Sequence, residues 1–331
     1  MTPMTPMTPV VETRALVKRY GDQLAIAGVD LVVGPGEIFG LVGPNGAGKT
    51  TTMKILATLL APTAGEAYVT GIPVDANPLE VRRRIGYMPD FYGVYDDLRV
   101  WEYLDFFARC YGVPANRRTT MIAELLEIVG LVEKREAYVE SLSRGMRQRL
   151  CLAHTLVHDP ALLILDEPAS GLDPRARVEM REILRELRSM GKTILVSSHI
   201  LPELGEMCTG VAIIDRGRLL RSGSIEEIQR SLRATALLRI DVLGDEAAIA
   251  AARDWLGTDP RVADVMGASG NADGATHLEA SFDGTPEAQA DLLRSMVEAG
   301  HRVVGFKQAT SDLEEIFLKV TGQIDESEAA A

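Results

Sequence analysis

The chain has 331 residues, enough for two domains. Its 46% hydrophobic and 25% charged residues can bury a core, which excludes a wholly disordered or collagen-like protein. The net charge of −12 excludes the strongly basic surface of a nucleic-acid binder, and no run of about 18 apolar residues is present to span a bilayer.

In chain order, MTPMTPMTP is a proline-punctuated repeat, expected to be a disordered tail over residues 1–9. It lacks the basic-then-apolar order of a signal peptide. VETRALVKRY and LAIAGVDLVV read as paired strands. IFGLVG, LLILD, TILVSS and VAIID are short apolar runs of the kind buried on both faces of a sheet, with helical stretches between them. That alternation predicts an α/β fold with a mostly parallel sheet. Residues from about 96 to 158 hold three helical stretches, read as an inserted helical subdomain within about 91–158. Arg216-Gly217 turns VAIID into a hairpin. Cys110, Cys151 and Cys208 stand far apart in no metal spacing, which suits a reducing compartment.

Composition changes near residue 232: residues 1–232 carry a net charge of −2, residues 233–331 one of −10. In this second part ALLRIDV, RVADVMG, THLEASF and HRVVGFKQA read as strands. EAAIAAARDWL and PEAQADLLRSMVEAG read as helices, giving the order βαββαβ of a ferredoxin-like, α+β unit. SDLEEIFLKVTG is expected as a last helix.

Gly43-Pro44-Asn45-Gly46-Ala47-Gly48-Lys49-Thr50 follows an apolar strand and opens a helix, the context in which G-x-x-x-x-G-K-[ST] cradles phosphate. The glycines let backbone N–H groups curl toward an anion, and the helix N-terminus adds its partial positive charge. Lys49 is placed to reach the β- and γ-phosphates and Thr50 to ligate Mg²⁺, with Thr51 beside it in the nucleotide site. LLILDE is an apolar strand ending in two acids, where open α/β sheets bind ligands. Asp166 is placed to hold Mg²⁺, and Glu167 to orient or deprotonate the attacking water. Ser143 reads as the N-cap of a helix, and Gly145 permits close approach.

The order Tyr20, phosphate loop, IGYMPD, LSRGMRQR, LLILDEP, SGLDP, SSHI resembles the ATP-binding cassette (ABC) family over roughly residues 10–232. The resemblance implies a P-loop ATPase cassette with Walker A and Walker B motifs, followed here by the accessory domain 233–331. It implies that Tyr20 stacks on adenine, and that Ser143 and Gly145 contact the γ-phosphate held by a second copy. It also implies that Asp173 lies in the loop crossing that interface and that His199 contacts the γ-phosphate and takes part in hydrolysis. The signature reads LSRGM where LSGGQ is usual, and Asp90 stands where the family usually has Gln. An Asp there could reach Mg²⁺ through water, cap the following loop or touch a partner. FYGVYDDLRVWEYLDFFARCYG and SDLEEIFLKVTG look like the detached ATPase subunits of type-2, daunorubicin-type ABC exporters.

These features lead to an ATPase that binds ATP and Mg²⁺ as a homodimer around two nucleotides and energises export. A separate polytopic membrane permease would dock near Phe91–Tyr95, at the cytoplasmic face of the membrane and without nucleic acid. The alternatives are a cassette ATPase acting on nucleic acid or ribosomes, and a nucleotide-binding regulator without turnover.

Overall fold

The computed structural model describes residues 8–91, 93–200, 204–232, 236–270 and 275–308. Most of the expected N-terminal tail and the whole of the expected last helix therefore lie outside the described residues. Two compact units divide between Ile225 and Glu226, at the first residue of the helix Ile225–Leu232.

The first unit contains two sheets. Strands β1 (Val11–Tyr20), β2 (Gln23–Val33), β4 (Ala64–Val69) and β5 (Ile72–Pro73) form an antiparallel sheet in the order β2-β1-β4-β5. The pairing of β1 with β2 follows the sequence, whereas β4 and β5 were not legible there. β4 begins with three exposed residues, and β5 has only two residues, so neither shows a clean period of two. The second sheet runs β10-β9-β3-β8-β7-β6. It comprises β3 (Ile38–Val42), β6 (Ile85–Met88), β7 (Leu162–Leu165), β8 (Thr193–Ser198), β9 (Gly210–Asp215) and β10 (Arg218–Ser224). All its pairings are parallel except the β9–β10 hairpin. Every residue of β3, β7, β8 and β9 is buried, as covering both faces of a parallel sheet requires. The C-terminal ends of β3, β7 and β8 therefore lie side by side, and the next residues of each form the site.

Helix α1 (Lys49–Leu56) follows β3, and α2 (Pro78–Arg84) precedes β6. Between β6 and β7 come α3 (Val100–Cys110), α4 (Ala115–Ile128) and α5 (Arg144–Leu156), and α6 (Pro174–Ser189) joins β7 to β8. At the start of α3 the Glu102 carboxylate reaches back to accept from the Arg99 N–H at 2.8 Å. Ser143 caps α5 by accepting from the Met146 N–H at 3.3 Å, and Asp173 caps α6 by accepting from the Ala176 N–H at 2.8 Å. No helix among the described residues is long and apolar enough to cross a membrane.

Aromatic rings join α3 to α5. His154 stacks on Phe107 with centroids 4.0 Å apart, and Phe107 meets Tyr103 edge-on at 4.9 Å. Burial, and secondarily the neighbouring His158, lowers the His154 pKa to about 4. The unfolded chain takes up this proton near pH 6.5 and the folded chain only near pH 4, so acid favours unfolding between those values. Thermal stability is expected to fall as pH drops from about 6.5 to about 4, by up to roughly 3 kcal/mol from this group. Melting curves across that range should flatten in His154→Phe, which keeps the stacked ring without the titration.

In the second unit, after α7 (Ile225–Leu232), the order is β11 (Ala236–Leu243), α8 (Glu246–Leu256), β12 (Val262–Gly270), β13 (Ala275–Phe282), α9 (Pro286–Glu298) and β14 (Val303–Gln308). The sheet order is β12-β13-β11-β14, and every pairing is antiparallel. Leu238, Ile240, Val242, Leu278, Ala280 and Phe282 alternate onto one face and pack with Leu256, Leu292 and Met296 in a core of their own.

Candidate nucleotide-hydrolysis site

The loop Gly43–Gly48 leaves the end of β3 and enters α1 at Lys49. Gly48 sits at φ 108°, where only glycine is unstrained, and a Cβ on it would stand 2.7 Å from the Ala25 carbonyl oxygen. Gly217, in the β9–β10 turn, donates its N–H to the Ala47 carbonyl at 2.9 Å and accepts from the Ala27 N–H at 2.8 Å. β2 and the β9–β10 turn thus buttress the loop. The sequence marked Gly217 as a turn residue, but its contact with the phosphate loop was not legible there.

The buried Lys49 ammonium donates to the Gly43 carbonyl at 2.6 Å and the Pro44 carbonyl at 3.2 Å. It lies 3.5 Å from Glu167 Oε1. The other oxygen, Glu167 Oε2, is 2.9 Å from His199 Nδ1. One carboxylate therefore joins the phosphate-loop lysine to the histidine that follows β8. A cleft of about 280 Å³ is lined by Ala25, the loop from Pro44 to Thr51, Asp90, Glu167, Ser170 and His199. The backbone of Glu167 stands at φ 51°, a conformation costing about 1–3 kcal/mol for a residue with a side chain. Such strain persists only where neighbours over-determine it.

Asp166 is 1% exposed. Its Oδ1 accepts from the Ser197 hydroxyl at 2.6 Å, while Oδ2 is buried without a hydrogen-bond partner. Asp166 is not itself among the lining residues, but a buried, unpartnered carboxylate oxygen on the residue before the cleft-lining Glu167 fits a cation ligand. Among the described residues no three His, Cys, Asp or Glu side chains gather as an all-protein metal site, so any cation here draws on hydroxyl, water or substrate oxygens as well. Asp90 is exposed at the cleft, and its pKa is raised by desolvation first and then by the charges of Asp166 and Glu167. Arg144 and His199 partly oppose that shift. Burial first, then the charges of Asp166 and Asp90, push Tyr87, on β6, up to about 12. The pocket is thus electronegative around its acids and is relieved by a cation.

Ser197 was missed in the sequence. Its buried hydroxyl donates to Asp166 and accepts from the Glu167 N–H at 2.8 Å, fixing both acids from the next strand. The SS pair in TILVSSHI was the only sequence signal. Ser197→Ala leaves two buried polar groups short of a partner, at a cost of about 1–3 kcal/mol. It is expected to lower kcat roughly 10-fold with ATP affinity retained, checked by steady-state hydrolysis beside an ATP titration.

The structure does not bring every candidate to this cleft. Tyr20 ends β1 half-exposed, with the Lys18 ammonium 5.3 Å from its ring centre, and is not among the lining residues. Ser143, Gly145 and Asp173 are also not among them. They sit together at the adjoining N-termini of α5 and α6, where a Cβ on Gly145 would stand 3.0 Å from the Ala176 Cβ.

Residues 26–170 match the family model described as ABC transporter. The chain is 36% identical over 317 residues to the Nod factor export ATP-binding protein I of Cupriavidus metallidurans, spanning 96% of this chain and 99% of that one. It is also 36% identical to the protein of the same name from Burkholderia orbicola, over 95% of this chain and 97% of the relative. Among solved structures, one titled as the ATP binding subunit of an ABC transporter superposes with a TM-score of 0.61 at 31% identity, covering 68% of this chain and 93% of that one. With a phosphate loop, a strand-end glutamate and a histidine meeting in one cleft of an α/β cassette, the chain belongs to the ABC transporter family as one of its ATP-binding, ATP-hydrolysing proteins.

Proposed function

We propose that the protein is the ATP-hydrolysing subunit of an ABC exporter, working as a homodimer on a separate polytopic membrane permease. The observation that carries this reading is the division of the candidate residues. Lys49, Glu167 and His199 converge on one cleft, with the buried Asp166 next to Glu167 in the chain, whereas Ser143 and Gly145 present a helix N-terminus elsewhere on the same unit. A cleft open on its phosphate side is completed when a second copy brings that N-terminus to it. The names of the relatives, which are export ATP-binding proteins, support the export direction.

In the cleft, the loop N–H groups and Lys49 hold the phosphates of ATP, and the ammonium exchanges its carbonyl partners for phosphate oxygens. Glu167 accepts the proton of the attacking water, and His199 holds the Glu167 carboxylate in place and lies at the γ-phosphate. Thr50 and Asp166 would hold Mg²⁺, with Asp90 reaching it through water. When bound, that ion supplies charge neutralisation at the phosphates. Tyr20, at the tip of the β1–β2 hairpin that also carries Ala25, is read as the adenine contact.

Phe91 is 95% exposed, and the half-exposed Tyr95 meets Phe106 edge-on at 5.3 Å. This aromatic surface is read as the permease docking face, and the protein as lying at the cytoplasmic side of the membrane. Its acidity speaks against nucleic acid as a partner. Residues 233–331 are read as a separate domain, and the strand order β12-β13-β11-β14 with two helices supports a ferredoxin-like form.

A mixing experiment tests the dimer. Lys49→Ala and Ser143→Arg subunits are each expected to be inactive. Their heterodimer keeps one intact composite site and should regain ATPase activity. Heterodimers no more active than either parent would refute independent composite sites. For export, the protein should enter the membrane fraction only when its permease is co-expressed, and Phe91→Asp should release it.

A further inference from the structure

Glu167 opens a loop, Pro168–Asp173, that runs from the end of β7 to α6. Its internal hydrogen bonds are weak in number: the Ser170 N–H donates to the Glu167 carbonyl at 3.0 Å and the Leu172 N–H to the Ala169 carbonyl at 3.3 Å. Two side chains of α5 grip it from outside. Gln148, buried, donates its amide to the Pro168 carbonyl. Arg144 donates Nη2 to the Ser170 carbonyl at 3.1 Å. Arg144 and Gln148 are four residues apart on α5 and so share one helix face. The Arg144 guanidinium also lies over Gly171, so closely that a Cβ there would collide with it, and Gly171 itself sits at φ 64°. The grips fall on the first and third residues after Glu167, whose own backbone is strained. On the other side Ser197 holds the Glu167 N–H.

We propose that Arg144 is a positioning residue: with Gln148 it holds the loop Pro168–Gly171 from helix α5 and so keeps Glu167 in its strained, cleft-facing conformation. The departure from the usual signature, Arg for Gly, thereby has a use within the same subunit. A glycine at 144 has no side chain to reach Ser170. Because α5 also packs against α3 through the His154–Phe107 stack, a displacement of the helical segment is transmitted to the backbone beside Glu167 through these two donors.

The inference rests on the reading of Glu167 as the base, and the test separates the two. In the full chain, Arg144→Met keeps the stem and removes the donors, Arg144→Lys keeps a charge and one donor, and Gly171→Ala pushes the guanidinium off its seat. Amide hydrogen exchange at Ser170 and Leu172 reports the grip whether or not Glu167 is the base. Arg144→Met should speed that exchange and lower kcat about 10- to 100-fold, with KM for ATP and the melting temperature unchanged, and Arg144→Lys should recover part of the loss. Gly171→Ala should show the same changes in exchange and kcat, with a lower melting temperature from its φ of 64°, and in kcat the Arg144→Met/Gly171→Ala double variant should be no worse than the worse single one. Unchanged exchange in Arg144→Met would overturn the grip. A loss confined to KM and to ATP-driven dimerisation would assign Arg144 to the partner copy's phosphate and overturn the proposal too. Glu167→Gln measured alongside identifies failure of the base assignment separately.

Discussion

Replacing Glu167 by Gln is expected to lower turnover by roughly 10²- to 10⁴-fold while ATP binding persists. The substitution keeps the size of the side chain but removes its capacity to accept a proton from water at neutral pH. The geometry sharpens the expectation in two ways. Glu167 Oε1 lies 3.5 Å from the Lys49 ammonium, so neutralising the carboxylate frees the lysine for phosphate, and affinity for ATP should hold or rise. Glu167 Oε2 meets His199 Nδ1 at 2.9 Å, and the Gln carbonyl can still accept there, so the local structure survives. Hydrolysis stops with nucleotide in place, and an ATP-bound dimer should accumulate, visible by size exclusion with ATP against ADP. Near-normal turnover in the purified variant would remove Glu167 from the role.

The second large effect is expected from Lys49→Met. The methionine keeps the apolar stem in its buried slot but removes an ammonium that bridges two loop carbonyls and faces Glu167. A charge-assisted hydrogen bond to phosphate contributes about 1.5–3 kcal/mol, so ATP should bind roughly 10- to 100-fold more weakly. Turnover should fall further than binding, because charge developing on the phosphoryl oxygens loses its fixed counter-charge. The folded state loses only about 1 kcal/mol, chiefly the donor to the Gly43 carbonyl, so melting curves should move little. Titration of ATP by calorimetry and hydrolysis at saturating ATP separate the two losses. An unchanged dissociation constant would mean that Lys49 does not touch the phosphates.

The two units also answer to different demands. The first places its chemistry where parallel strands end, and its parallel sheet is buried on both faces. The second is an all-antiparallel sheet whose core is closed by helices on one face. Its strongly acidic composition travels with that separate core.

The sequence by itself determined what depends on near neighbours in the chain. The run Gly43–Thr50 has its glycines, lysine and hydroxyl at fixed offsets, and a strand before and a helix after, so the phosphate loop could be read directly. The apolar runs of β3, β7, β8 and β9 announced their burial because a strand covered on both faces tolerates no polar alternation. Asp166 and Glu167 were legible for the same reason, as the first polar residues after such a run. The tertiary structure alone decided contacts between residues far apart in sequence: Ser197 between the two acids, Gly217 and Ala25 behind the phosphate loop, and Arg144 and Gln148 on the loop after Glu167. Each joins segments about 20 to 170 residues apart, and a hydroxyl, a glycine or a Gln on a helix looks the same in sequence whether it faces water or a neighbouring backbone. It also decided that Ser143, Gly145 and Asp173 stand apart from Lys49 and Glu167 in one subunit, because the ends of α5 and α6 are set by helix packing rather than by any local pattern.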